Sequence, residues 1–407
     1  MPLSVIPEDT GPVRIRPGGR EPGTIRLTSQ PPLSLYVHVP WCVRKCPYCD
    51  FNSYEADGSL PEDAYLAALE ADLEQSVPLV WGRQVVSIFI GGGTPSLLSV
   101  RAVDAMLAMF RLYLNVLPDA EVTLEANPGT AEADRFEGYA RSGVNRISLG
   151  IQSFDDTKLA ALGRIHDGEQ ARRAIELAQH AVGRVNLDLM FALPNQSLEE
   201  CAHDLRTAMS YGTGHLSLYH LTLEPNTVFA KYPPAVPDGD LAADMQELIA
   251  TETASAGWQR YEVSAYARPG ERCVHNSNYW QFGDYLGVGP GAHGKLSFHD
   301  HILRRAVLKS PKSWMAKAPL RDDSHVAEQR NLGVRDLPFE FMLNALRLKE
   351  GVEASTFPQR TGLSIFAIAP VLERVRAKGL MESDPRLLRA TPLGWRFLND
   401  LVSEFLP

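Results

Sequence analysis

Cys42-Val43-Arg44-Lys45-Cys46-Pro47-Tyr48-Cys49 is the stretch on which the reading of this chain turns. Three cysteines fall within eight residues, separated by three and then two residues. The spacing is too tight for structural disulfides. It is also one ligand short of a closed tetrahedral zinc site. It suits three thiolates on three irons of a [4Fe–4S] cluster, which ordinarily takes four cysteines. A missing fourth thiolate leaves one iron open to a substrate or cofactor. A zinc site completed by His38 or His166 is the competing reading. An apolar run over 33–40 precedes the cysteines, so their loop springs from the C-terminal end of an expected strand.

Around that loop the composition is that of a globular protein. The 407 residues suit two or three domains, with 44% hydrophobic and 22% charged side chains. A net charge of −9 argues against a broad electrostatic grip on nucleic acid. No run of about 18 apolar residues occurs, so no integral membrane segment is expected. Clustered cysteines and the lack of a basic-then-apolar leader predict a cytoplasmic protein.

Strand-like runs over 33–40, 85–91, 121–128, 146–153, 184–194 and 215–225 alternate with helical patterns over 61–77, 99–116, 131–142, 168–182 and 197–211. Such alternation predicts an α/β fold with a parallel sheet and helices outside it. Six units instead of eight predict an incomplete (β/α)6 barrel. Chemistry in such barrels sits at the C-terminal mouth of the strands. Polar or glycine residues fall there strand after strand: Gly91-Gly92-Gly93-Thr94-Pro95, then Glu125, Gln152, Asp188, and Tyr219, His220 and Glu224. The glycine run lacks the Lys-Ser/Thr of a phosphate loop. It reads either as a tight turn or as backbone that approaches a ligand closely.

The stretch from Tyr36-Val37-His38-Val39-Pro40-Trp41-Cys42 through Cys49-Asp50-Phe51 resembles the radical S-adenosylmethionine (SAM) superfamily. More narrowly, it resembles the branch that holds oxygen-independent coproporphyrinogen dehydrogenase and the HemW-type heme chaperones. The resemblance covers roughly 33–300 and implies the same (β/α)6 core. It implies that Cys42, Cys46 and Cys49 hold a [4Fe–4S] cluster with SAM on its open iron. It further implies that Tyr36, Tyr48, Gly92, Gly93, Thr94, Glu125, Gln152, Arg164 and Asp188 form the SAM site. For Arg164 and Asp188 an ordinary ion pair is the bland alternative.

Beyond a Pro-rich linker at 233–237, a helix is expected over 240–257 and a strand over 261–266. Cys273-Val274-His275-Asn276-Ser277-Asn278-Tyr279-Trp280 follows. From the residues alone, His275 belongs to a polar loop whose aromatics close the barrel. The resemblance reads His275, Asn276, Tyr279 and Trp280 as the His-Asn-x-x-Tyr-Trp motif of the heme chaperones. It implies heme as a further cofactor, with His275 as axial ligand. Arg268 or Arg272 would meet the propionates, and Cys273 is a second candidate for heme contact. His293, in a glycine-rich loop over 287–294, is a candidate for the SAM site.

The remaining segments are a Pro/Gly-rich flexible arm over 1–32, an irregular connector over 301–337 and a small α+β, winged-helix-like domain over 338–407. The last raises DNA binding. Its nine Lys and Arg against eight Asp and Glu offer no basic stripe, so a lid or partner surface is expected. Two functions follow. As a radical-SAM enzyme, the protein would decarboxylate porphyrinogen propionates to vinyl groups through a deoxyadenosyl radical. As a chaperone, it would bind heme and pass it to an acceptor protein. Either would draw electrons from a donor such as flavodoxin or ferredoxin. The dehydrogenase carries a further cysteine two positions after the last cluster cysteine. Phe51 stands there in this chain, which favours the chaperone. A zinc-stabilised DNA-binding protein is the third reading.

Overall fold

In the computed structural model, which describes residues 25–130 and 133–407, six strands run in chain order through the central sheet. They are β1 (Leu33–Val39), β2 (Gln84–Gly92), β3 (Asn115–Ala126), β4 (Arg146–Gln152), β5 (Arg184–Phe191) and β6 (His215–His220). Every pairing between neighbours is parallel. Between them lie α1 (Glu62–Ser76), α2 (Val100–Tyr113), α3 (Ala133–Ser142), α4 (Gly168–Ala181) and α5 (Leu198–Ser210). Side chains fix where the helices begin. Asp167 with Gln170 and Ser197 with Glu200 form capping boxes ahead of α4 and α5.

Strand side chains alternate between two environments. Leu33, Leu35, Val37 and Val39 of β1 pack into the main apolar core with Tyr65 and Leu69 of α1. The intervening Ser34, Tyr36 and His38 face the polar interior, where Ser87 Oγ donates to Ser34 Oγ at 2.7 Å. The expected barrel core is therefore present.

The sheet extends further than the sequence suggests. Asp284–Val288 pairs parallel with the free edge of β1. His293–Ser297, Ile302–Val307 and Val326–Asn331 follow as antiparallel strands. At the other edge, Ala265–Ala267 runs antiparallel to β6, with Gln259–Arg260 outside it. The two ends do not pair with each other among the described residues, so the barrel stays open.

Two expectations change here. The connector over 301–337 is not irregular, since it supplies two strands and the helix Pro311–Lys317. The strand over 261–266 is confined to Ala265–Ala267, because Glu262 turns aside to bridge Leu348. The glycine-rich loop expected over 287–294 is a turn over 289–292 between the ends of two strands, Asp284–Val288 and His293–Ser297. Buried charge disguises two of the added strands, His293–Ser297 and Ile302–Val307. Lys295 is buried because its Nζ meets Asp284 Oδ1 at 2.9 Å. Arg305 is buried against Asp72 and His325.

The C-terminal unit packs helices, among them Leu337–Ala345 and Ala369–Ala377, around a ribbon of Val352–Glu353 and Leu387–Leu388. Its core residues Phe341, Phe357 and Phe405 are continuous with Tyr261, Phe282 and Ile302. The arm expected over 1–32 lies outside the described residues up to residue 24. Its remainder is docked: Leu27 is buried in that same core, and Arg26 N donates to Gly362 O at 3.2 Å. No helix among the described residues is long and apolar enough to cross a membrane.

Candidate functional site

The C-terminal ends of β1 to β6 surround one cavity of about 620 Å³. Cys42, Cys46 and Cys49 line it, and all three are free thiols. Local bonds shape their loop. Trp41–Cys42 pairs with Tyr54–Glu55, bracketing the loop at both ends. Cys49 N donates to Cys46 O at 3.1 Å. Lys45 Nζ donates to the carbonyls of Phe51 and Ser53 at 3.1 and 3.2 Å.

Behind the loop stands a strut from β1. Tyr36 hydroxyl donates to His38 Nδ1 at 3.0 Å, and His38 Nε2 donates to Asn52 O at 2.8 Å. Burial lowers the His38 pKa, which keeps the ring neutral as this pattern requires. Asn52 Nδ2 in turn donates to the carbonyls of Pro290 and Lys309. Tyr36 thus does not line the cavity. It holds the cluster loop from behind.

The glycine turn presses against this assembly. Gly93 N donates to Val39 O and Thr94 N to Trp41 O, each at 2.7 Å. Gly92 has φ +116°, and a Cβ on it would lie 2.6 Å from the His38 ring. Only glycine fits there. Gly92 N also donates to Glu125 Oε2 at 3.0 Å. Burial, then the neighbouring Asp188, pushes Glu125 up to about 7. Asp188 accepts from Ser148 Oγ and Asn186 Nδ2, each at 2.8 Å. It is not an ion pair. Arg164 donates to Asn127 and to Gly150 O, and its Nη1 lies 3.8 Å from Cys46 Sγ. Gln152 ends β4 in the left-handed region, φ 67°, a strained conformation that aims a strand end at a site.

Tyr48, Gly92, Gly93, Thr94, Glu125, Gln152, Arg164 and Asp188 all line the one cavity with the cysteines. Tyr219, His220 and Glu224 line it as well. His275 does not. It lies on the helix Val274–Trp280, 7% exposed, with Nδ1 3.2 Å from Ser87 Oγ and its ring 5.0 Å from that of Phe89. Burial holds its imidazole down to about 4. The loop expected around it is a helix because Cys273 caps it and Glu121 accepts from the backbone of Val274 and His275, each at 3.0 Å.

Other expected positions are engaged elsewhere. Cys273 Sγ is bonded to Glu121 at 3.3 Å, and burial pushes its thiol up to about 12. Arg268 stacks on Trp258, and Arg272 pairs with Glu350 at 2.7 Å. His293 is exposed at a strand end outside the cavity.

The donor set suits a cluster. Among the described residues no three His, Cys, Asp or Glu side chains are placed to hold a single metal ion. Three separated thiols on one cavity wall match one sulfur per iron. Both proposed fourth zinc ligands are committed: His38 as above, and His166 through Nε2 to Ile151 O at 3.1 Å.

Sequence reasoning missed the cavity floor, formed by Arg146, Asn186, Ser217, Asn276 and Arg347. A signal existed for the strand residues. Arg146, Ser148 and Gly150, or Arg184, Asn186 and Asp188, break apolar strands at every second position. Arg347, from the C-terminal unit, carries no such mark.

Comparison with known proteins agrees with this geometry. Residues 36–208 match the Radical SAM superfamily and residues 333–397 the HemN C-terminal domain. The heme chaperone HemW of Escherichia coli is 48% identical over 382 residues, covering 93% of this chain and all of that one. Radical S-adenosyl methionine domain-containing protein 1 of mouse mitochondria is 38% identical, covering 92% of this chain and 87% of that one. The solved coproporphyrinogen III oxidase HemN of E. coli superposes with a TM-score of 0.79 over 92% of this chain and 90% of that one. At 23% identity, that likeness speaks for the fold alone. Cysteine loop, open six-stranded barrel and full-length relatives converge: this chain belongs to the HemW family of the radical SAM superfamily, whose members share SAM and a [4Fe–4S] cluster.

Proposed function

We propose that this protein is a heme chaperone, which binds heme and passes it to an acceptor protein in the cytoplasm. The observation that carries this reading is Phe51. It stands where the dehydrogenase branch has a further cysteine, and it is 61% exposed at the cavity rim. An apolar ring there offers a flat heme a surface and iron nothing. The near-complete coverage of heme chaperone HemW at 48% identity supports the same choice.

Cluster and SAM, when bound, supply one-electron and radical chemistry drawn from a donor such as flavodoxin or ferredoxin. This chain's residues position them. Cys42, Cys46 and Cys49 hold the cluster, with Arg164 beside Cys46. Gly92, Gly93 and Thr94 let backbone approach SAM, and Glu125, Gln152 and Asp188 supply acceptors. His275 is the proposed axial heme ligand. Ser87 engages Nδ1, which leaves Nε2 for iron. Its present burial means that the Val274–Trp280 helix must give way to admit heme.

One anaerobically purified sample decides the matter. Heme titration should give a saturable Soret change, and coproporphyrinogen III should be recovered unchanged in the presence of SAM and reductant. Conversion of coproporphyrinogen III to vinyl products without heme binding would establish the dehydrogenase reading instead.

A further inference from the structure

Arg146 is a buried cation with no anion in contact among the described residues, although Glu121 and Asp188 nearby favour its charged form. Its side chain is rooted at the first residue of β4, six residues before Gln152 at the mouth, or roughly 20 Å of strand. It is 2% exposed. It makes one long hydrogen bond, Nη1 to Thr123 Oγ1 at 3.4 Å, and forms no ion pair among the described residues. Glu121 is already engaged by Arg184 at 2.8 Å and by the start of the Val274–Trp280 helix, and Asp188 by Ser148 and Asn186. Arg146 nonetheless lines the cavity. A guanidinium held out of bulk water with no anion in contact keeps donors free for one that enters the cavity.

The surroundings are built to receive such a group. Asn276 and Ser264 line the same floor, and no hydrogen bond of either side chain occurs among the described residues. Arg347 adds a second cation, stacked 4.2 Å over Trp280 and tied to Glu262 at 3.2 Å. A planar, forked guanidinium that shares a cavity with an unengaged amide and hydroxyl suits a carboxylate.

We propose that the cavity floor is a carboxylate subsite, with Arg146 as its anchor, that takes one propionate of the porphyrin. The inference rests on the heme reading and extends it. It sets how the macrocycle enters: one propionate edge down, beside the helix that carries His275. Arg268 and Arg272, which the sequence suggests for this task, are spent on Trp258 and Glu350.

The test compares heme with heme dimethyl ester on the full chain carrying its cluster. Wild type should bind the ester about tenfold more weakly or worse, as expected for a lost charge-assisted hydrogen bond. Arg146→Gln should lower affinity for heme towards that of the ester, leave the ester's affinity unchanged and retain iron. Arg146→Lys should restore part of the preference. The wild-type comparison does not depend on any variant folding. Equal binding of heme and ester by wild type overturns the subsite while leaving heme binding intact. Failure to bind either porphyrin overturns the heme reading itself. Loss of SAM affinity in Arg146→Gln, with heme preference kept, would assign the subsite to the amino-acid carboxylate of SAM and overturn the proposal.

Discussion

His38 Nε2 donates to the carbonyl oxygen of Asn52 at 2.8 Å, so a strand residue four positions before Cys42 fixes the chain three positions after Cys49. Cluster loop and barrel are thereby one rigid piece. His38→Ala should cost on the order of 2–3 kcal/mol. It should also shorten the lifetime of the reconstituted cluster in air, read as decay of its visible absorbance. A cluster of undiminished lifetime would show that the strut is dispensable.

Gly92→Ala introduces a Cβ 2.6 Å from the His38 ring at a positive φ. The ring must move or the glycine turn must lift. The expected outcome is a loss of about 1–3 kcal/mol in thermal unfolding together with weaker SAM binding. Wild-type stability and affinity would mean that the turn has more freedom than its contacts imply.

Glu125, proposed as part of the SAM site, should couple SAM binding to pH. Its carboxyl sits at about 7, raised by burial and by Asp188. It is therefore mostly protonated at pH 6 and mostly ionised at pH 8. An ionised carboxylate favours cationic SAM, so affinity should climb with pH across that window, by up to roughly tenfold. Glu125→Gln should flatten the profile with iron content unchanged. Equilibrium dialysis at three pH values suffices. A slope that persists in the variant would assign the titration to another group.

His275→Ala should lose or shift the Soret band of the heme-loaded protein while cluster absorbance and SAM binding remain. Ser87→Ala, which frees the ring's other nitrogen, should keep the band at an altered position. If both variants match wild type in their heme spectra, iron is held by a different side chain.

Replacing any one of Cys42, Cys46 and Cys49 with Ala should abolish the cluster absorbance after anaerobic reconstitution. A variant that retains four irons per chain would refute the three-thiolate assignment.

Much of the mouth was legible in the sequence because its chemistry is compressed into short motifs. Three cysteines in eight residues, or three glycines after an apolar run, leave few alternatives. The strand extension was hidden because Lys295 and Arg305 read as solvent-facing. Only partners distant in sequence, Asp284 and Asp72, make their burial affordable. His275 was misplaced for a related reason. A helix of seven residues capped by Cys273 and by Glu121, some 150 residues earlier, leaves no local periodicity to read. Arg146 was visible as one of several polar residues in strand register, but that no anion touches it is a property of the assembled barrel.

The cavity's makeup also sets an order of events during synthesis. Its walls include Cys42 near the beginning of the chain and Arg347 near the end. About 300 residues separate Cys49 from Arg347; at ordinary translation speeds the ribosome needs roughly 15–60 s to cover them. For that interval the three thiols stand in a half-built vessel, steadied by their own turns and by whichever strands have emerged. The floor closes only when the C-terminal unit docks. Iron arriving early meets an open, wet hollow, whereas iron arriving late meets a finished one.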